Sequence, residues 1–268
     1  MTHPGHLKWL AGAIASVAAQ DLDHRLLELQ IVHDGPVDEA FDKVVIGATS
    51  ELDFPTTVIA TPEVYGYYTV PRNQALPHLR GYYVAHLDAD NEWLPTHLSG
   101  LLQAMRLPDG DRGLPHFAYA RRHYLARPGC TRTDVPIDVD SPLVPWDEVA
   151  RKRLVSGPMS NFIDTSDFMT SKSALYMLAD RTGMVWNPEC RRFGDWDLVA
   201  RMTSCGFRGR AVDQITHHYW WTGENVQLTR NAGGDNTNVI AIPEEIYERY
   251  RREGKIRSAE ASQAAEGC

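Results

Sequence analysis

The chain has 268 residues, 43% of them hydrophobic and 23% charged, which is enough apolar material for one sizeable core in a globular protein. Its formal net charge of -8 argues against a nucleic-acid or anionic-membrane partner, because both recruit a basic face, although a local basic patch stays compatible with it. Four widely spaced cysteines, Cys130, Cys190, Cys205 and Cys268, form no C-x-x-C pair, so neither a zinc site nor a disulfide framework is suggested and a reducing, cytoplasmic setting is the simplest reading.

In chain order, residues 6–20 place Leu7, Leu10, Ile14 and Val17 at helical spacing, and the apolar run "LAGAIASVAA" is too short to span a bilayer. The stretch "LLELQIVHDG" follows, in which Leu27, Leu29, Ile31 and Val32 run into Asp34-Gly35-Pro36, as a buried strand closed by a turn does. "KVVIGAT" and "TTVIATP" are β-branched and read as two more strands. "TVPRNQALPHLR" reads as a loop entering a short helix, and "GYYVAHLDAD" as the next strand, with a helix starting near Pro95. Strands alternating with helices predict an α/β fold with a mixed, mostly parallel sheet flanked by helices.

Ligands of such sheets sit at the carboxyl ends of the strands. Two strand ends carry acids here, Asp34 after "LQIVH" and the pair Asp88 and Asp90 after "YYVAHL". The spacing of Asp88 and Asp90 puts both carboxylates on one side of an extended segment, a pattern that suits Mg2+ or Mn2+ carrying a diphosphate. A D-x-D serves equally well as a solvated cap for the following helix, and the tripeptide alone leaves both readings open.

Taken together, "AGAIASVAAQDL", "LELQIVHDGP", "PRNQALPHLRGYYVAHLDADNEWLP" and "FGDWDLVARMTSCGFRG" resemble the successive signatures of the inverting nucleotide-sugar glycosyltransferases of family two, which have the GT-A (Rossmann-like) fold. The resemblance covers roughly residues 2 to 225. It implies a metal-dependent inverting transfer from a nucleoside-diphosphate sugar, with a UDP-sugar favoured, to an acceptor hydroxyl, assisted by Mn2+ or Mg2+. It also implies roles: Thr2, Asp34, Arg72 and Asp88 in donor binding, Asp90 as metal ligand and Asp195 as general base. Two positions depart from the family pattern. Asn91 stands where a further Asp is common, and Gly194 occupies the Glu position of the usual Glu-Asp pair. A carboxylate at each end of the reacting line fits a single in-line displacement, one cluster serving the leaving diphosphate and the other the attacking hydroxyl.

Other stretches suggest supporting roles. In "ITHHYWWTGEN", alternation lets only one of His217 and His218 face a given side; His218 is the candidate metal ligand, and Trp220, with Trp196, a candidate acceptor platform. Core packing is an equal reading for an aromatic strand. "GPMSNFIDTSDFMTSKSAL" carries hydroxyl and acid groups suited to sugar recognition or to helix capping, and residues 127–153 read as a long surface excursion without periodicity. Residues 1–241 are expected to form one domain, with a nucleotide-binding half (1–105) and an acceptor half (106–241). Residues 242–268 follow as a charged helix grading into a disordered tail. The usual first strand is apparently lacking, since the chain opens at "MTHPGHLKWL"; either the start is internal to a longer reading frame or another segment fills the gap. The alternatives to a transferase are a catalytically impaired sugar-nucleotide-binding protein and, against the absence of a Gly-rich phosphate loop, a sugar nucleotidyltransferase.

Overall fold

The computed structural model describes residues 1–222, apart from 111–112, 132–134, 158–160 and 191. The expectations for residues 223–268 lie outside it. A helix α1 (Leu7–Ala18) buries Leu10, Ile14 and Val17 on one face, as their spacing requires. Strand β1 (Leu29–His33) follows, then α2 (Glu39–Thr49). This helix corrects the strand expected at "KVVIGAT". The Asp38 side chain caps it by accepting from Phe41 N at 2.7 Å, and only Phe41 and Val45, four residues apart, are buried. A cap with helical spacing outweighs β-branched propensity, while Ile46 stays exposed to solvent.

β2 (Thr56–Ala60) pairs parallel with β1. After α3 (Thr69–Ala75) come β3 (Tyr83–Ala85), β4 (Glu92–Trp93) and α4 (His97–Arg106). The remaining elements are β5 (Phe117–Ala126), β6 (Val139–Asp140), α5 (Glu148–Val155), β7 (Phe168–Ser171), α6 (Lys172–Thr182), α7 (Gly194–Ser204) and β8 (Gly209–Trp221). Within the stretch read as a surface excursion, the described residues include two regular elements. β6 pairs with β5, and Asp147 caps α5 through Ala150 N.

Two sheets result. One is the β1–β2 pair; the other runs β3-β7-β5-β8-β4, with β6 on β5. The sheet is mixed, and parallel pairing is less common than expected: β1–β2 and β5–β8 are parallel, whereas β3–β7, β5–β7, β5–β6 and β4–β8 are antiparallel. Met1 and Thr2 bridge the two sheets. Thr2 forms a parallel bridge with His33, and Met1 accepts from Ala89 N at 2.9 Å. One core, around Phe117, Phe168, Leu175, Trp186 and Leu198, lies under α6 and α7. Leu98, Leu101 and Met105 of α4 bury the opposite face with Trp93 and Ala118. No helix among the described residues is long and apolar enough to cross a membrane.

Candidate active site

The site forms where β1 and β3 end and α7 begins. Asp34, at the end of β1, is buried, and its carboxylate accepts from Tyr65 N at 2.9 Å and Gly66 N at 2.8 Å. It therefore shapes the loop after β2 as well as standing at a strand end. Thr2 is buried beside it, with its backbone bonded on both sides to β1 through Val32 O and Asp34 N.

Arg72 is the hub. Its guanidinium is buried, donates to Asp88 Oδ1 at 2.6 Å and to Thr165 Oγ1 at 3.4 Å, and lies over the rings of Tyr68 (4.2 Å) and Trp186 (4.7 Å). Asn73, the other half of the R-N pair, instead clamps the Trp186 backbone, donating to its carbonyl and accepting from its N–H. Two buried polar residues, Asp90 and Asn91, follow Asp88 closely. Burial, reinforced by the nearby Asp88 carboxylate, pushes the Asp90 carboxyl up to about 7. His6 Nε2 stands 4.0 Å from Asp90 Oδ2, and burial holds that imidazole down at about 3. Asn91 points inward: its amide donates to Ser166 Oγ and its carbonyl accepts from Trp220 N, so it fixes the turn and is not free to serve as an open ligand.

Asp195 occupies the first turn of α7 and is buried. Its Oδ2 accepts from Asn161 Nδ2 at 3.2 Å. Its Oδ1 accepts from the Tyr68 hydroxyl at 3.3 Å, and that hydroxyl in turn accepts from Asp195 N. Burial raises the Asp195 carboxyl, opposed by the Trp196 backbone N–H and reinforced by the Asp88 charge. Gly194 has a physical reason for lacking a side chain. A Cβ there would lie 2.6 Å from Thr69 Cγ2 and 3.0 Å from Tyr68 Cε2. The absence of a side chain lets α7 approach α3 closely enough for Tyr68 to reach Asp195.

Asp88, Arg72, Tyr68 and Asp195 thus form one connected cluster, with Thr2 and Asp34 at its β1 side. The remaining candidates sit elsewhere. Trp196 packs in the core, its indole N–H donating to Leu154 O at 2.7 Å, which leaves no face for an acceptor. His217 is buried against Asp167, 3.1 Å away. His218 lies on the other side of β8, opposite Glu92 and near His123 and Trp220. Among the described residues no three His, Cys, Asp or Glu groups converge as a cation site, so neither histidine joins Asp88 and Asp90 in one. The Trp220 ring is covered by the Arg127 guanidinium at 4.1 Å, and Arg127 also donates to Glu92 and to Asp90 O.

Sequence reasoning missed Tyr68, Asn161 and Asp164. Asp164 caps the turn before β7, and burial, with Asp167, Asp195 and Asp88 nearby, raises its carboxyl well above the ordinary value against the pull of Arg122. Asp164 and Asn161 lay inside the stretch flagged for its hydroxyl and acid content. Tyr68 carried no signal, because its partner is 127 positions away.

The described residues have the GT-A fold of nucleotide-sugar glycosyltransferases, as comparison with solved structures shows. S. aureus TarS 1-349 in complex with UDP-GlcNAc is 15% identical, with 91% of this chain and 61% of that one covered at a TM-score of 0.57. S. aureus TarS is 15% identical over 82% of this chain and 35% of that one, at 0.58. The mannosyltransferase PcManGT from Pyrobaculum calidifontis, in complex with GDP-Man and Mn2+, is 15% identical over 80% of this chain and 53% of that one, at 0.53. The chain thus spans between about a third and three fifths of the length of these solved chains. No curated protein sequence matches it. Residues 5–113 match the family described as glycosyl transferase family 2.

Proposed function

We propose that the chain transfers a sugar from a nucleoside-diphosphate sugar, with a UDP-sugar favoured, to an acceptor hydroxyl with inversion, assisted by Mn2+ or Mg2+. The observation that carries this reading is the connected cluster from Asp88 through Arg72 and Tyr68 to Asp195, which joins a carboxylate pair to a separate buried carboxylate. Solved relatives in fold hold UDP, UDP-GlcNAc, or GDP-Man with Mn2+, which supports the donor class.

A divalent cation fits the residues present. Asp90 is buried beside Asp88, and burial, reinforced by the Asp88 charge, raises its carboxyl to about 7, so a cation between the two would offset both costs. Two protein carboxylates with the other positions left to phosphate oxygens and water is the usual economy of Mg2+ and Mn2+. When bound, the ion supplies charge for the departing diphosphate. In this reading Asp34 and Thr2 border the base and ribose, and Arg72 holds Asp88 in place. Asp195 accepts the proton of the attacking hydroxyl. Burial raises the proton affinity of its carboxylate, which suits a general base, and Asn161 and Tyr68 fix both of its oxygens.

Calorimetric titration of UDP, GDP and dTDP, with and without Mn2+, tests the donor arm. Mn2+-dependent binding of one nucleotide, lost in Asp90→Asn and kept in Asp195→Asn, is expected. A folded sample that binds none of the three would refute the reading.

A further inference from the structure

The turn that leads into β7, residues 161–167, touches both ends of the cluster that runs from Asp88 to Asp195. Asn161 Nδ2 donates to Asp195 Oδ2 at 3.2 Å. Further along, Thr165 Oγ1 accepts from Arg72 at 3.4 Å, and Ser166 Oγ accepts from Asp88 N and from the Asn91 amide, each at 3.2 Å. One short segment therefore reaches the carboxylate that serves as base and the one beside the diphosphate. Ile163, Thr165, Ser166 and Asp167 are buried, whereas Asp164 is half-buried. Asp164 is thus the side chain that residues 163–167 present to the open space between Asp88 and Asp195.

Its surroundings suit a hydroxyl and oppose an anion. Asp164 Oδ1 accepts from Ser166 N at 3.0 Å, which fixes the side chain as a cap. The two arginines whose charges act on Asp195 are engaged elsewhere: Arg72 on Asp88, and Arg122 on Asp167, the Tyr124 hydroxyl and the Phe162 carbonyl. Burial, with Asp167, Asp195 and Asp88 adding to it against the pull of Arg122, holds the Asp164 carboxyl well above the ordinary range. A hydroxyl donating to this group makes a charge-assisted hydrogen bond and brings in no further charge. A second carboxylate in the same place would face Asp88, Asp164 and Asp195 with both guanidiniums already occupied.

We propose that Asp164 recognises the transferred sugar by accepting a hydrogen bond from one of its ring hydroxyls, and that the donor carries a neutral sugar and not a uronic acid. The inference rests on the transferase reading, which requires the sugar to lie between the diphosphate at Asp88 and the attacking hydroxyl at Asp195. Asp164 is then a specificity-determining residue, supplied by an element far in sequence from both acids it faces.

The test is calorimetry in Mn2+ with UDP, UDP-glucose, UDP-GlcNAc and UDP-glucuronate on the parent, Asp164→Asn and Asp164→Ser. Asn and Ser both cap turns well; the first removes only the charge, and the second removes the reach as well. In the parent, a neutral UDP-sugar should bind at least about tenfold more tightly than the uronate. Asp164→Ser should hold UDP within about twofold of the parent yet weaken the preferred neutral sugar by about tenfold or more, with Asp164→Asn between the two. Both variants should narrow the gap to the uronate. Thermal unfolding checks the fold, and if Asp164→Ser is unstable, Asp164→Asn and the parent's own preference decide. Equal loss of UDP and UDP-sugar would make Asp164 a purely structural cap and overturn the proposal, as would unchanged discrimination or a parent that prefers the uronate. A parent that binds none of the four refutes the UDP-sugar reading itself, and the proposal with it.

Discussion

Asp90→Asn is expected to stabilise the metal-free protein while abolishing the metal-dependent nucleotide binding proposed above. The carboxyl is raised from an ordinary 3.8 to about 7 by burial and by Asp88. A folded-state value above the unfolded one means that the protonated form fits the fold, so stability is fully present below about pH 4 and falls as pH rises toward and through 7. A displacement of about three pH units corresponds to about 4 kcal/mol at pH 8, and about 2 kcal/mol has already been lost at pH 5. The neutral amide has nearly the same shape and no charge to bury. Chemical denaturation of both proteins without divalent ions, at pH 5 and pH 8, should show Asp90→Asn more stable by amounts approaching these, with the gap widening by about 2 kcal/mol between the two conditions. Saturating Mn2+ and UDP should stabilise the parent and leave the variant unmoved. A variant equal to or weaker than the parent at pH 8 would refute the claim that Asp90 is held as a costly, poorly compensated charge.

Four further outcomes follow from named contacts. Asp195→Asn should lower the transfer rate by about 10^2- to 10^4-fold with nucleotide affinity unchanged, measured by product release against calorimetry. Tyr68→Phe removes a donor to the Asp195 carboxylate, so its proton affinity rises and the acidic limb of the kcat/KM profile should move to higher pH while Tm stays close to the parent's. Gly194→Ala forces a Cβ against Thr69 and should cost about 1–3 kcal/mol in denaturant unfolding, with activity falling as α7 is displaced. Arg72→Met strands the Asp88 carboxylate beside Asp90 and should destabilise by about 3 kcal/mol, the lower end of the cost of breaking a buried pair because Asp88 is partly exposed.

Where local pattern and tertiary role coincided, the sequence was informative. Helix α1 follows from Leu10, Ile14 and Val17, and β1 from its apolar run closed by Asp34-Gly35-Pro36. Asp34, Asp88 and Asp90 were legible as acids at strand ends, which is where an α/β sheet gathers its ligands. The segment "KVVIGAT" misled because β-branched residues there sit on a helix whose cap, Asp38, lies five positions upstream of the run. Trp196 misled in another way, since aromatic rings serve cores and sugar sites alike and only its bond to Leu154 O decides between them.

The sequence by itself determined the class of fold, helix α1, strand β1 and the acids at the strand ends, because periodicity, turns and strand ends are written within a few residues of one another. Tertiary structure decided the rest. Tyr68 meets Asp195, Asn161 meets Asp195 and Arg72 joins Asp88 to Thr165 only after distant elements pack, and Gly194 is needed only because α3 lies against α7. The raised proton affinities of Asp90 and Asp195 belong to this level too, since a carboxyl titrates according to the water it has lost and the charges brought beside it, and neither is a property of its neighbours in the chain.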